Sequence, residues 1–261
     1  MTGAAEHIIK IKQRKDLDPV RILSLDNHLI VAVKPAGVLS QADRTGDPDM
    51  LTLLKGYLKE LFHKPGAVFL GLVHRLDRPV GGVMVFARTS KAASRLSEQI
   101  RRRTVKKTYL AVVQGRPLEE AGRLDDSLLR DWGGKGHRIV KETDKGARPS
   151  SLTYRLLAYS PKENLSLLAV NLLTGRTHQI RLQFAARQLP LWGDTRYGAK
   201  AGGTGGRGRP GHSTGEIGLW AYAYYFDHPT LKERRRAVAP PPRRYPWTCF
   251  PHSVYESFVD E

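Results

Sequence analysis

The chain has 261 residues, 40% of them hydrophobic, enough to bury a core without disulfide or metal staples. Its single cysteine, Cys249, excludes an intramolecular disulfide and any multi-cysteine metal site, and it suits a reducing compartment, taken here as the cytoplasm. Lys and Arg number 43 against 25 Asp and Glu, a formal charge of +18 that gathers polyanions, so nucleic acid is the expected partner rather than an acidic membrane surface. No apolar stretch approaches the roughly 20 residues of a membrane helix. The N-terminus lacks the apolar region of a signal peptide, and no basic amphipathic helix of the interfacial type stands out.

Residues 1–20 carry a basic segment from Ile8 to Lys15 and read as an arm or an edge strand, with a single domain expected over residues 21–261. Residues 21–40 give two strands around an Asp26-Asn27 turn and end at Lys34-Pro35-Ala36-Gly37. Asp49 can cap a helix over about 51–62, because Leu51, Leu54, Leu58 and Leu61 recur at helical spacing. Two apolar runs, 68–73 and 83–87, predict buried strands. Between them lies a polar knot of His74, Arg75, Asp77 and Arg78, closed by Pro79 and Gly81-Gly82. A carboxylate flanked by arginines stays ionised because adjacent cations offset its desolvation, and the glycines let a ligand approach the backbone. The plain alternative for Asp77 is a surface turn residue. Ser90 can cap a second helix running to about Arg103, with Ala93, Leu96 and Ile100 on one face. Its end, Arg101, Arg102, Arg103, Lys106 and Lys107, holds more cations than the helix macrodipole needs, and part of it is expected to contact RNA phosphates.

Residues 107–115 predict a strand carrying Tyr109, and 116–148 a polar, Gly-rich excursion with a hairpin. Two further strands follow at 151–158 and 165–173. In Thr174-Gly175-Arg176-Thr177-His178-Gln179-Ile180-Arg181 a strand ends, Gly175 turns, and a helix is expected from about Thr177. Free backbone N–H groups and Arg176 would then meet an anion there, with Arg181 one turn from His178. Residues 199–216 are a Gly-rich loop without the Gly-Lys-Ser/Thr of a P-loop, either an RNA contact or a surface insertion. Residues 217–229 predict a strand, and the tail from Leu231 adds a second basic rim around Pro240-Pro241-Pro242.

Five segments stand in order: Lys34-Pro35-x-Gly37, His74-Arg75-Leu76-Asp77, Lys107-x-Tyr109, Thr174-Gly175-Arg176-x-His178-Gln179-Ile180-Arg181, and Pro190-x-x-Gly193-Asp194-x-x-Tyr197-Gly198. Over about residues 20–229 the chain resembles the RluA family of pseudouridine synthases, in the shorter form without an S4 domain. Two departures are Val80-Gly81, where the family usually has Thr-Ser, and Leu219-Trp220-Ala221, where Leu-His-Ala is common. The resemblance implies an α/β (α+β) pseudouridine synthase fold, a mixed and mostly antiparallel sheet with flanking helices and a central catalytic cleft. It implies isomerisation of specific uridines in structured RNA, ribosomal or transfer, on a base flipped out of its stack. The catalytic set it assigns is Asp77, Tyr109, which stacks on the base and is a proposed general base, and Arg181, which pairs with the aspartate. The substrate-binding set is His74, Arg75, which fills the vacated position, Ile180, which walls the base pocket, Arg176 and His178. No cofactor, metal or membrane is expected, and a monomer is. Left to the residues alone, Tyr109 is equally a core tyrosine, Arg181 a surface cation and His178 a satisfied helix histidine. A catalytically silent RNA-binding or ribosome-assembly protein of the same fold would be marked by loss of Asp77, Tyr109 or Arg181, and all three are present. A serine hydrolase built on His74 and Asp77 lacks its nucleophile elbow.

Overall fold

A computed structural model describes residues 7–130, 136–199 and 215–257. Along the chain run β1 (His7–Ile9), β2 (Val20–Leu25), β3 (Leu29–Lys34), α1 (Met50–Leu61), β4 (Gly71–Leu72), β5 (Gly81–Ala87), α2 (Ser90–Arg101), β6 (Lys106–Gln114), β7 (Ala121–Arg130), β8 (His137–Val140), β9 (Arg148–Ser160), β10 (Leu165–Leu172), α3 (Gln179–Ala185), β11 (Leu219–Asp227), β12 (Arg234–Val238) and α4 (Ser253–Ser257). The chain divides into two compact units. The first runs to Lys107 and takes in Ala221–Ala239; the second starts at Thr108 and takes in Glu216–Trp220 and the segment from Pro240. Antiparallel strands with few helices match the expected class, and no described helix is long and apolar enough to cross a membrane.

In the first unit the strand order is β1-β2-β3-β5-β11, with β4 added to the end of β5 and β12 to β11. Residues 7–9 of the expected arm are thus an edge strand, with Ile8 opposite Arg21. Every residue of β3 and β5 is buried, which explains why both read as continuous apolar runs rather than alternating ones. Asp49 caps α1 as expected, its Oδ1 accepting from Thr52 N–H at 3.1 Å, and Met50, Leu54 and Leu58 are buried beneath it. Each such side chain contributes about 1.5–3 kcal/mol by leaving water. The α2 cap is Thr89 rather than Ser90, its hydroxyl accepting from Ala92 N–H; Ala92 and Leu96 are the buried residues of that helix.

In the second unit the order is β6-β10-β9-β7-β8, all antiparallel where registered. Leu110–Val113 of β6 and Leu165–Val170 of β10 form its core, and Phe184 of α3 packs edge-on against Tyr154 of β9 at 5.6 Å. The hairpin expected within 116–148 is β7 with β8. Trp132–Lys135 and most of the Gly-rich loop, residues 200–214, lie outside the described residues.

Candidate active-site residues

Asp77 lies on the turn between β4 and β5, half-buried, and main-chain atoms of the turn are held by the Gly37 backbone and by the side chains of Lys34 and Ser40. Gly37 N–H donates to Arg78 O at 2.8 Å, and Arg78 Nε donates back to Gly37 O at 3.2 Å. Ser40 Oγ donates to Leu76 O at 2.7 Å and accepts from Leu76 N–H at 3.1 Å, so one hydroxyl saturates the residue before Asp77. Val80 N–H closes the turn on Asp77 O at 3.0 Å. At the centre is Lys34, fully buried, whose ammonium donates to Val38 O at 2.5 Å and to Pro35 O and Arg78 O at 3.1 Å each. Burial pushes this lysine down to about 7; the Asp77 charge pulls it up, and Arg78 opposes. Lys34 is thus one cation whose charge is felt by Asp77, while Arg78 forms an ion pair with Asp47 at 2.8 Å. Arg75 is exposed.

Gly82 has a packing role of its own. Gly81 and Gly82 are both buried at the start of β5, and a Cβ on Gly82 (φ +122°) would meet the Ala221 carbonyl oxygen at 2.3 Å and its nitrogen at 2.6 Å. The close approach at Gly82 is to β11, the neighbouring strand of the sheet.

His74 leaves the turn in the other direction. Its Nε2 accepts from Val85 N–H at 3.0 Å, and its ring stacks on Tyr224 with centroids 4.6 Å apart. Lys107 Nζ lies 5.4 Å from the centroid of the same tyrosine ring. Burial, reinforced by Lys107, drives His74 well below its usual range, so it is a neutral acceptor. Burial likewise brings Lys107 down to about 8. This lysine, expected among the phosphate contacts, is packed against an aromatic ring, whereas Arg101, Arg102, Arg103 and Lys106 are exposed.

In the second unit α3 begins at Gln179 and not Thr177, because His178 adopts the left-handed conformation (φ 57°) and cannot join the helix. The turn before it is spanned by the Gln179 side chain. Its Oε1 accepts from Thr174 Oγ1 at 2.8 Å and from Arg176 N–H at 3.0 Å, and its Nε2 donates to Ser151 O and to Gln183 Oε1. One of the backbone N–H groups in this turn, that of Arg176, is thus used within the turn. Arg181, nearly all buried, is gripped by Asp194: Nε to Oδ2 at 2.6 Å and Nη2 to Oδ1 at 2.9 Å, a two-pronged ion pair with side-chain exposures of 6% and 1%. Its guanidinium also lies over the Tyr197 ring at 5.0 Å, and the Tyr197 hydroxyl meets His178 Nδ1 at 2.7 Å. Ile180 is buried, and Tyr109 is buried on β6 opposite Val170.

Sequence reading gave no role to Lys34, Ser40, Gln179 or Asp194. Lys34, Gln179 and Asp194 stand inside quoted motifs, which was the available signal; Ser40 had none. Among the described residues no three His, Cys, Asp or Glu side chains group so as to hold a metal ion.

A solved human structure titled RNA pseudouridylate synthase domain containing 4 superposes with a TM-score of 0.68 at 25% identity, covering 85% of this chain and 88% of that one. A second, domain containing 1, gives 0.65 at 22% and supports the fold alone. The fold is that of a pseudouridylate synthase domain. A family model described as RNA pseudouridylate synthase matches residues 28–186, and the chain belongs to that family. It is 34% identical over 219 residues to ribosomal large subunit pseudouridine synthase C of Yersinia pestis, covering 84% of this chain and 65% of that one. It is 33% identical over 177 residues to the uncharacterized RNA pseudouridine synthase YhcT of Bacillus subtilis, covering 68% and 57%. The chain thus spans less than two thirds of the length of either relative.

Proposed function

We propose that this chain isomerises uridine to pseudouridine within structured RNA, with Asp77 as the catalytic carboxylate. The observation that carries the reading is the family match across residues 28–186, which takes in Asp77, Tyr109 and Arg181, each in its motif. Ribosomal RNA is favoured over transfer RNA because relatives are named for the large ribosomal subunit. The bond from uracil N1 to the sugar breaks, the base turns, and carbon 5 takes its place on the sugar. The carbon 5 proton leaves and N1 gains one, so atoms and electrons balance without an outside reactant.

In this reading Asp77 acts at the sugar as the glycosidic bond breaks, on a turn whose fixed main chain keeps the carboxylate from wandering. Arg181, its plane set by Asp194, serves the Asp77 carboxylate. Tyr109 stacks on the base and takes the carbon 5 proton, while Ile180 walls the pocket. The target base is flipped out of its stack, and Arg75, exposed beside Asp77, fills the gap. Arg101, Arg102, Arg103 and Lys106 contact backbone phosphates, and the protein acts as a monomer in the cytoplasm.

The test is chemical mapping of pseudouridine in ribosomal and transfer RNA treated with wild type or Asp77→Asn. The variant should lose isomerisation while its RNA affinity stays within a few-fold, since phosphate contacts lie elsewhere. Substantial turnover by a folded Asp77→Asn protein would remove the reading.

A further inference from the structure

The two basic rims that the sequence separates by more than a hundred residues are joined in the first unit. Gln99 of α2 clasps the end of β11 as a third strand would: its Nε2 donates to Asp227 O at 2.8 Å, and its Oε1 accepts from Asp227 N–H at 2.9 Å. Arg95, one turn earlier, donates to Pro229 O at 2.5 Å. Beyond the clasp, Thr104 O at the end of the helix accepts from both Nη1 and Nη2 of Arg234, at 3.3 and 3.2 Å. β12 is in turn registered on β11 from Ala223↔Val238 to Asp227↔Arg234. The basic end of α2 and the strand Arg234-Arg235-Arg236 therefore form one ledge with fixed spacing.

The charge on this ledge exceeds what the protein itself uses. Residues 98–107 and 227–236 hold nine Lys and Arg against three carboxylates, an excess of six in twenty residues and a third of the formal +18. All of the nine but Lys107 are exposed. Glu98 is shared by Arg101 and Arg102, Asp227 pairs with Arg234 and Glu233 with Arg235. Arg103 and Lys106 enter no ion pair among the described residues, and Arg236 lies over the Tyr225 ring at 5.7 Å. Six of the nine are arginines, whose planar fork suits phosphate oxygens better than an ammonium does. A ring or carbonyl contact that already limits an arginine reduces the rotamer entropy it gives up on binding.

We propose that the α2 end and β12 form a single preorganised ledge that binds RNA backbone phosphates, a second grip away from the reacting base that sets affinity and not the choice of uridine. This rests on the reading of the chain as an RNA-modifying enzyme. Its test is a titration of a fluorescein-labelled stem-loop RNA at several salt concentrations. The proteins are wild type, a triple Arg103→Gln/Arg235→Gln/Arg236→Gln, the same triple to Lys, and a control triple Lys55→Gln/Lys59→Gln/Lys64→Gln that removes equal charge from the exposed side of α1 and the residues after it. The slope of log affinity against log salt should fall by about 2 to 3 in the ledge variant, at about 0.7–0.9 for each phosphate that is no longer neutralised. It should return with lysine and change far less in the control. An unchanged slope in a ledge variant whose melting curve shows it folded would overturn the proposal. So would an equal fall in the control, which would trace the effect to net charge. Isomerisation by wild type is measured alongside: its absence sinks the enzymatic reading whatever the slopes, and its presence with unchanged slopes sinks the ledge alone.

Discussion

Asp77 stands on a turn and Arg181 in the helix that follows one, and the two turns differ in how often a bond joins two side chains. The Asp77 turn is held by its main chain: Leu76, Asp77, Arg78 and Val80 are bonded through backbone atoms, two of the bonds joining backbone to backbone and the others meeting Lys34, Ser40 and the Arg78 guanidinium. Around the turn before Arg181, Gln179 makes four hydrogen bonds and Asp194 two, and four of the six join side chain to side chain. A main-chain scaffold leaves most of its residues replaceable and concentrates its dependence on a few donors. A side-chain scaffold spreads that dependence over every member, because removing one leaves buried partners unmatched.

Asp194 is where this contrast breaks most readily. Asp194→Ala removes the two-pronged partner of a buried guanidinium and should cost about 3–5 kcal/mol of unfolding free energy, read from urea denaturation. A cost under about 1 kcal/mol, the value of an exposed pair, would mean that this ion pair is not what holds the second turn.

Lys34→Met tests the first turn. Three carbonyls lose their donor at about 1–3 kcal/mol for an unmatched buried group, offset in part because a cation that burial disfavours is also removed, so a net loss near 2 kcal/mol is expected. The pH dependence gives the sharper reading. Lys34 titrates at about 7 in the fold against 10.5 in the open chain, so between those values the unfolded chain binds more protons and wild-type stability gains with rising pH. The deficit of Lys34→Met should therefore widen from pH 7 toward pH 10 and stay constant below 7. A constant deficit throughout would show that the ammonium is not desolvated.

The smallest effect belongs to His74, which is part of neither turn's clamp. Held neutral well below its open-chain value of 6.5, it contributes stability that is complete above 6.5 and is lost as acid protonates the unfolded chain. That amounts to about 1 kcal/mol between pH 6.5 and 5.5. His74→Gln should flatten the slope by that amount; an unchanged slope would place the ring in water.

How much of this was legible varied with the kind of contact. The strands β3 and β5, the Asp49 cap and the burial of Leu54 and Leu58 in α1 follow from local pattern, since burial and capping are encoded within a few residues, whereas Leu61 of the same expected stripe is exposed at the helix end. The α2 cap slipped by one residue because Thr89 and Ser90 are equally able acceptors, and burial of Ala92 and Leu96 accompanies the earlier one. The start of α3 was misplaced because a left-handed His178 has no local signature. β12 was read as a basic tail, since three arginines in a row look like no strand until Asp227, Phe226 and Tyr225 supply partners. The supports of the candidate site were hidden for a physical reason. Lys34 and Arg78 lie 44 positions apart, and Arg181 and Asp194 lie 13 apart on different elements. Pairings of that kind exist only once the chain has folded.

Gly82 has a consequence for anyone who maps this protein by random substitution. It carries no functional group, yet any side chain there would have to occupy the space of the Ala221 carbonyl at a φ that L-residues rarely adopt. In an activity screen it would therefore score as intolerant as Asp77, five positions away. Only a parallel measure of how much soluble protein each variant yields separates a position that is needed for chemistry from one that is needed because nothing else fits.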